Sequence, residues 1–201
     1  MASIKEYVKY KEGELKVISD IRVDNEYKAN VQSYRNNADI DYSRVIYSSA
    51  YRRLQGKMQL FIPKSAVFYR NRLTHSHEVA QIAKTIAKKL GLKDTLTVQT
   101  CSLAHDMGNP PFGHAGETFL SQCSQLPYEG NAQTFRILMK VEERHHDFNG
   151  LNLTIRTMLG VVKYFSLYKD NDKKFLYDLD YKTVKNGSTI TKFPIKLLIV
   201  K

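Results

Sequence analysis

Two histidines and one aspartate, His75, His105 and Asp106, have the types and the placement to hold a divalent metal ion. His75 opens a helical stretch, and the His105-Asp106 pair closes the next one. Gly91 ends the first stretch, and only Leu92, Lys93 and Asp94 precede the second, so the two helices are expected to run antiparallel. Thr74 to Leu90 makes ~25 Å of helix, and Thr95 to Asp106 ~18 Å. The second helix therefore returns most of the way alongside the first and carries His105 and Asp106 back towards His75. Successive side chains on a helix point ~100° apart, so His105 and Asp106 can approach one metal from two sides or bridge two metals.

A second group follows at once. GNPPFG leads into a helix beginning near His114 or Ala115, and Glu117 stands three residues after His114 on the same face. Unpaired N–H groups at a helix start suit a phosphate. His114 there suits a general acid or a stabiliser of charge at phosphorus, with Glu117 orienting it or placing a water. A plain interhelical turn with a His-Glu cap pair is the competing reading. His145 and His146 follow a charged helix and read as exposed rather than catalytic.

The elements that must position these residues are helical. The helix from Thr74 presents Val79, Ile82, Ala83, Ile86, Ala87 and Leu90 on one apolar face, and Asp94 caps its successor. Upstream, Asp41 is a cap for a helix with Val45, Ile46, Ala50 and Leu54 at helical spacing. Further helices are expected over Ala132–Glu143 and from Leu153 to about Phe165. The fold class is all-α, with a small β-hairpin around Asn186-Gly187, where TVK and TITKF flank a turn dipeptide. One domain is expected over 1–201, comprising a polar segment 1–40 with a short helix or two, a helical core 41–166 and a basic tail 167–201.

Composition bounds the partners. In 201 residues, 42% are hydrophobic and 25% charged, which is ordinary for a globular domain with a substantial core. No apolar run approaches a membrane span and no signal region opens the chain, so the expected location is cytoplasmic and off the membrane. Cys101 and Cys123 make no disulfide framework. The net charge of +11 favours an anionic partner: nucleotide, nucleic acid or acidic surface.

Four segments in order, YSSAYRRLQGKMQLF, RLTHSHEVAQIAKTIAKKLG, LAHDMGNPPFGHAGE and YEGNAQTFRIL, resemble the dGTP triphosphohydrolase branch of the HD superfamily, over Arg44 to Leu138. The resemblance implies an HD-type helical fold and cleavage of a deoxynucleoside triphosphate, dGTP in the first place, to deoxynucleoside and inorganic triphosphate. It implies a divalent ion (manganese, magnesium or another transition metal) on His75, His105 and Asp106, with His114 and Glu117 catalytic. Gln59, Arg72 and Asn131 fall at substrate positions, and family members form homo-oligomers and respond to single-stranded DNA. His77 stands where the family carries a hydrophobic residue, and reads as packing or surface rather than ligand. The family's fourth metal ligand, an aspartate, follows a stretch like KFPIKLL; here LLIVK ends the sequence at Lys201, so a C-terminally incomplete domain is expected. Asp147, Asp178 and Asp180 are the conceivable replacements, none with supporting helical context. Other readings are an HD phosphohydrolase acting on monophosphates or nucleic-acid ends, and an inactive module that binds nucleotide, nucleic acid or a homologous subunit.

Overall fold

The computed structural model describes residues 4–24, 34–59, 70–171 and 173–190, the side chains of 186–190 excepted. Their regular structure is helical: α1 (Ile4–Ser19), α2 (Asn37–Ile46), α3 (Ser49–Arg52), α4 (Arg72–Leu90), α5 (Thr95–Ala104), α6 (Gly113–Cys123), α7 (Gly130–Arg136), α8 (Ile155–Val161) and α9 (Asp178–Ile190). A 3-10 turn over Arg53–Gly56 extends α3, and a π-helical stretch over Ile137–Val141 extends α7. β structure among these residues is limited to isolated bridges, so the all-α expectation holds. None of these helices is long and apolar enough to cross a membrane.

The pair α4–α5 carries the site, and its ends are set by local chemistry. The Asn71 side chain accepts from Thr74 N at 2.9 Å and starts α4. Gly91, at φ 86, ends it in the left-handed conformation that glycine adopts without a Cβ penalty. Asp94 accepts from Thr97 N at 3.0 Å and opens α5 as expected. Glu12 of α1 fixes the link from outside, accepting from Lys93 N and Asp94 N at 2.8 and 2.7 Å. The two helices pack closely against each other, with α2 and α8 on the other sides of α5.

Several boundaries and faces differ from expectation. The face of α4 that is buried runs through Ser76, Ala80 and Ala87, while Ile82 and Ile86 are 61% and 54% exposed. Small residues at helical spacing let α5 approach closely, and that geometry overrides the larger apolar stripe. Helix α2 starts earlier than Asp41: Asn36 is the cap, in a reciprocal capping box with Asp39. The run to Leu54 breaks after Ile46, because Ser48 caps a new helix. The helix expected over Leu153–Phe165 is shorter, with Thr154 as cap of α8. Residues 178–190 form α9 instead of a hairpin. Asp180 and Val184, one turn apart, are both buried, and Tyr181 stacks on Phe165 at 4.3 Å. This anchoring outweighs the ~1 kcal/mol that a mid-helix glycine costs at Gly187. The TITKF strand lies partly beyond the described residues.

Asp41 has a different task from capping. It is wholly buried, and its carboxylate accepts from Arg22 Nη1 at 2.9 Å, Thr154 N at 2.9 Å, and the Thr154 and Thr157 hydroxyls at 2.7 Å each. Nearby, Arg44 donates to the Leu151 and Asn152 carbonyls, and the Glu142 carboxylate accepts from Ser49 N and Ala50 N at the start of α3. The apolar core, with Leu54, Leu103, Met107, Leu138, Leu151 and Leu153 fully buried, lies beside this polar seam.

Candidate metal centre

The antiparallel pair brings the three residues named from spacing together. One donor atom from each of His75, His105 and Asp106 lies within 4.8 Å of the others. The two imidazoles meet edge to face, with centroids 5.5 Å apart. His75 sits in the first turn of α4, where burial first of all lowers its proton affinity below the ordinary 6.5, Asp106 pulling the other way. A neutral imidazole is the form that a metal takes up. Metal affinity is therefore expected to survive acidification to pH 6.5 as far as His75 is concerned, and to be lost only below it; a pH series of metal titrations reads this directly.

His105 caps the C-terminus of α5, and its Nδ1 lies 2.7 Å from the Ser102 carbonyl. A carbonyl only accepts, so Nδ1 carries a proton and Nε2 points its own valence at Asp106 Oδ1, 3.2 Å away. In the neutral ring the Nε2 lone pair and the carboxylate oxygen lie side by side, so one ion beside them can take both as ligands. The set of two imidazoles and a carboxylate, with one imidazole oriented by a backbone carbonyl, fits a divalent metal. Asp106 is itself held: Arg72 Nη1 donates to Oδ2 at 2.8 Å, and Asn109 Nδ2 to Oδ1 at 2.6 Å.

The second pair is formed as well. His114 in the first turn of α6 and Glu117 just beyond it pair, with His114 Nδ1 2.8 Å from Glu117 Oε2. The other oxygen of Glu117 accepts from Gly130 N at 3.0 Å, so Glu117 is tied to α7 while the His114 side chain is 93% exposed. The connecting loop is pressed onto α7. Gly108 N donates to the Thr134 hydroxyl at 2.8 Å, and the Tyr128 hydroxyl donates to the Gly108 carbonyl at 2.6 Å. Burial pushes the Tyr128 phenol up to about 12, which keeps it a donor. Tyr128→Phe is expected to cost about 1 kcal/mol of unfolding free energy, measurable as a lower urea midpoint with unchanged slope.

Gly130 has no room for a side chain. A Cβ there would stand 2.3 Å from Asn109 Oδ1 and 2.7 Å from Glu117 Oε1. One glycine thus lets the partner of Asp106 and the partner of His114 approach the same backbone. Gly130→Ala is expected to displace both, which a loss of the His114–Glu117 imidazole proton signal in NMR would register.

The three substrate candidates meet different fates. Arg72 is buried against Asp106 and works as a support of the metal cluster, although its Nε has no partner. It also reaches the α6 start, where its Nη2 is 3.7 Å from the space a Gly113 side chain would fill. Asn131 donates to Glu129, which is buried and also accepts from Lys174. Gln59 has its Oε1 buried without a partner among the described residues. His77 faces Tyr51, its Nε2 3.1 Å from the hydroxyl, and not the metal cluster. Lys57, a basic residue that the sequence offers for the field around a polyphosphate, donates its ammonium to the Asn109 carbonyl at 2.7 Å. Asn109 and Tyr128 were not legible as site residues from spacing. An Asn three residues beyond a helix-terminal Asp is the one signal that pointed to them.

No fourth carboxylate joins the cluster among the described residues. Asp180 is buried on Arg136 and Asp147 lies with His145 and His146.

Residues 72–165 match the HD domain family. A protein of Vibrio cholerae called deoxyguanosinetriphosphate triphosphohydrolase-like protein 2 is 55% identical over 159 residues, which are 76% of this chain and 40% of that protein. A deoxyguanosinetriphosphate triphosphohydrolase-like protein of Rhodopseudomonas palustris is 53% identical over 126 residues, 62% of this chain and 31% of its own. One from Rickettsia felis is 43% identical over 153 residues, 75% and 39%. The chain spans 40% or less of the length of these relatives.

Proposed function

We propose that this chain, which matches the HD domain family over residues 72–165, uses its His75–His105–Asp106 cluster to hold a divalent metal for hydrolysis of a deoxynucleoside triphosphate, dGTP foremost, to deoxynucleoside and inorganic triphosphate. The observation that carries the reading is the convergence of one donor atom each from His75, His105 and Asp106 within 4.8 Å. The names of the relatives support the substrate class.

A metal bound there would polarise a phosphoryl oxygen and make a water more acidic; manganese, magnesium and other transition ions all suit the donor set. The rest falls to the chain. His114 turns its free nitrogen to solvent at the start of α6, and Glu117 holds the ring by Nδ1, so that nitrogen is the one placed to hold or pass a proton. Arg72 holds the Asp106 carboxylate in place at 2.8 Å and brings positive charge near the loop. Gln59 is the proposed contact to sugar and base, with Asn131 near the substrate, and the Gln59 oxygen, without a partner among the described residues, is an acceptor open to a donor. The net charge of +11 supports a polyphosphate, or single-stranded DNA as a second partner.

The second reading, an inactive module that binds nucleotide, nucleic acid or a homologous subunit, draws on the three-ligand count. Incubation with manganese and dGTP separates the two, with dGMP as the comparison substrate. Deoxyguanosine and triphosphate released together, and lost in a His105→Ala, Asp106→Ala double variant, support the hydrolase. A folded protein that binds manganese and releases neither product leaves the module.

A further inference from the structure

His145, His146 and Asp147 take no part in the proposed reaction, yet they form a second constellation of metal-ligating atoms. One donor from each lies within 4.8 Å of the others. Asp147 uses both carboxylate oxygens: Oδ2 is 3.3 Å from His145 Nδ1 and Oδ1 is 3.0 Å from His146 Nε2. Donors bound to one tetrahedral ion at ~2.0–2.2 Å stand roughly 3.3–3.6 Å apart, so a shared ion needs only small adjustments here, with His145 Nδ1 exchanging a long 3.4 Å contact from Asp147 N for the metal. Two imidazoles and a carboxylate able to chelate through two oxygens provide four donor atoms.

The rings are held in place before any ion arrives. His145 stacks on His146 at 4.4 Å on one side and on Phe148 at 5.5 Å on the other. Phe148 is buried, and the Arg44 guanidinium lies over its ring at 5.1 Å. Arg44 in turn is bonded to the Leu151 and Asn152 carbonyls. The triad is thus fixed to the polar seam of the fold at one end, while the His146 side chain is 85% exposed at the other. Ordering costs that a flexible surface site would meet on binding are largely met in advance.

We propose that His145, His146 and Asp147 form a separate site for a borderline transition-metal ion, of the class of zinc, nickel or copper(II). Imidazole donors favour these ions over magnesium, which takes oxygen ligands and keeps its water. The site clips the segment between the π-helical stretch and α8, and it fills with zinc independently of the His75 cluster.

Calorimetric titration of the full chain with zinc chloride alone tests this. Wild type is expected to take up two equivalents and His146→Ala one, with at least tenfold weaker binding at the altered site; Asp147→Asn is expected to behave alike. The exposed position of His146 leaves the fold intact in that variant. Magnesium in excess is expected to leave the second equivalent in place. In a His75→Ala protein, cobalt(II) is expected to broaden the His145 and His146 imidazole signals in NMR. Equal zinc stoichiometry in wild type and His146→Ala, or unbroadened His145 and His146 signals, would overturn the proposal and leave the triad an ion-pair cluster only. Neither readout depends on hydrolysis of any nucleotide.

Discussion

Asp106→Ala is expected to abolish metal binding at the His75 cluster and, in the same step, to weaken the fold. The affinity effect comes from removing the one carboxylate of three ligands, and a loss of at least ~100-fold is expected, since even supporting groups around a metal are worth 10–100-fold. The stability effect comes from Arg72. Arg72 is 8% exposed and has Asp106 as its ion-pair partner at 2.8 Å. Removing one member of a buried pair leaves an uncompensated charge and costs about 3–5 kcal/mol. The two effects separate in a second variant, Asp106→Ala with Arg72→Met, in which no charge is stranded. That protein is expected to regain most of the lost urea midpoint and none of the metal affinity. Recovery of metal binding in the double variant would show that Asp106 acts only as a counter-ion to Arg72, and the ligand role would fall.

The second large effect lies far from any chemistry. Asp41→Ala is expected to lower unfolding free energy by about 3–5 kcal/mol, a large part of the ~5–15 kcal/mol that holds a typical domain together. The carboxylate accepts four hydrogen bonds, from Arg22, from Thr154 twice and from Thr157. Its loss strands the Arg22 guanidinium without its counter-ion, although the Asn152 carbonyl and Asn37 still accept from it, and leaves the Thr154 N–H and the Thr157 hydroxyl without their acceptor. Thermal unfolding followed by circular dichroism reads the change. A midpoint within a few degrees of wild type would mean that water replaces the carboxylate without cost, contrary to the complete burial of Asp41. Asp41→Asn keeps the shape and part of the bonding, and is expected to fall between the two.

These cases mark what the sequence discloses and what it hides. His75, His105 and Asp106 could be grouped because glycine and aspartate stops fix the lengths of two adjacent helices, and a short link leaves one way to pair them. His114 and Glu117 could be paired because three residues on a helix is a contact distance. The cap at Asp94 and the stop at Gly91 are local, and local chemistry is written locally. Asp41 was legible as polar at a helix start, but its partners Thr154 and Thr157 lie more than a hundred residues away, and no spacing rule reaches that far. Arg72 reads as a substrate contact until the fold closes it onto Asp106. The dipeptide at Asn186-Gly187 has the right chemistry for a turn, yet Asp180 and Val184 bury one face of a helix through that region. Ile82 and Ile86 have the apolar period of a core face, but the close approach of α5 selects the small residues beside them.

The polar seam also sets the order in which this chain can come together. Asp41 meets Thr154 across 113 residues, Arg44 meets Leu151 across 107, and Ser49 meets Glu142 across 93. Helical proteins fold quickly when their contacts are local, and long separations slow them. At ribosomal speeds of ~5–20 residues per second, roughly 6 to 20 s pass between the emergence of Asp41 and that of Thr154. Through that interval Arg22 and Asp41 must stay in water, so α2 and α3 can dock only when the turn before α8 has been synthesised.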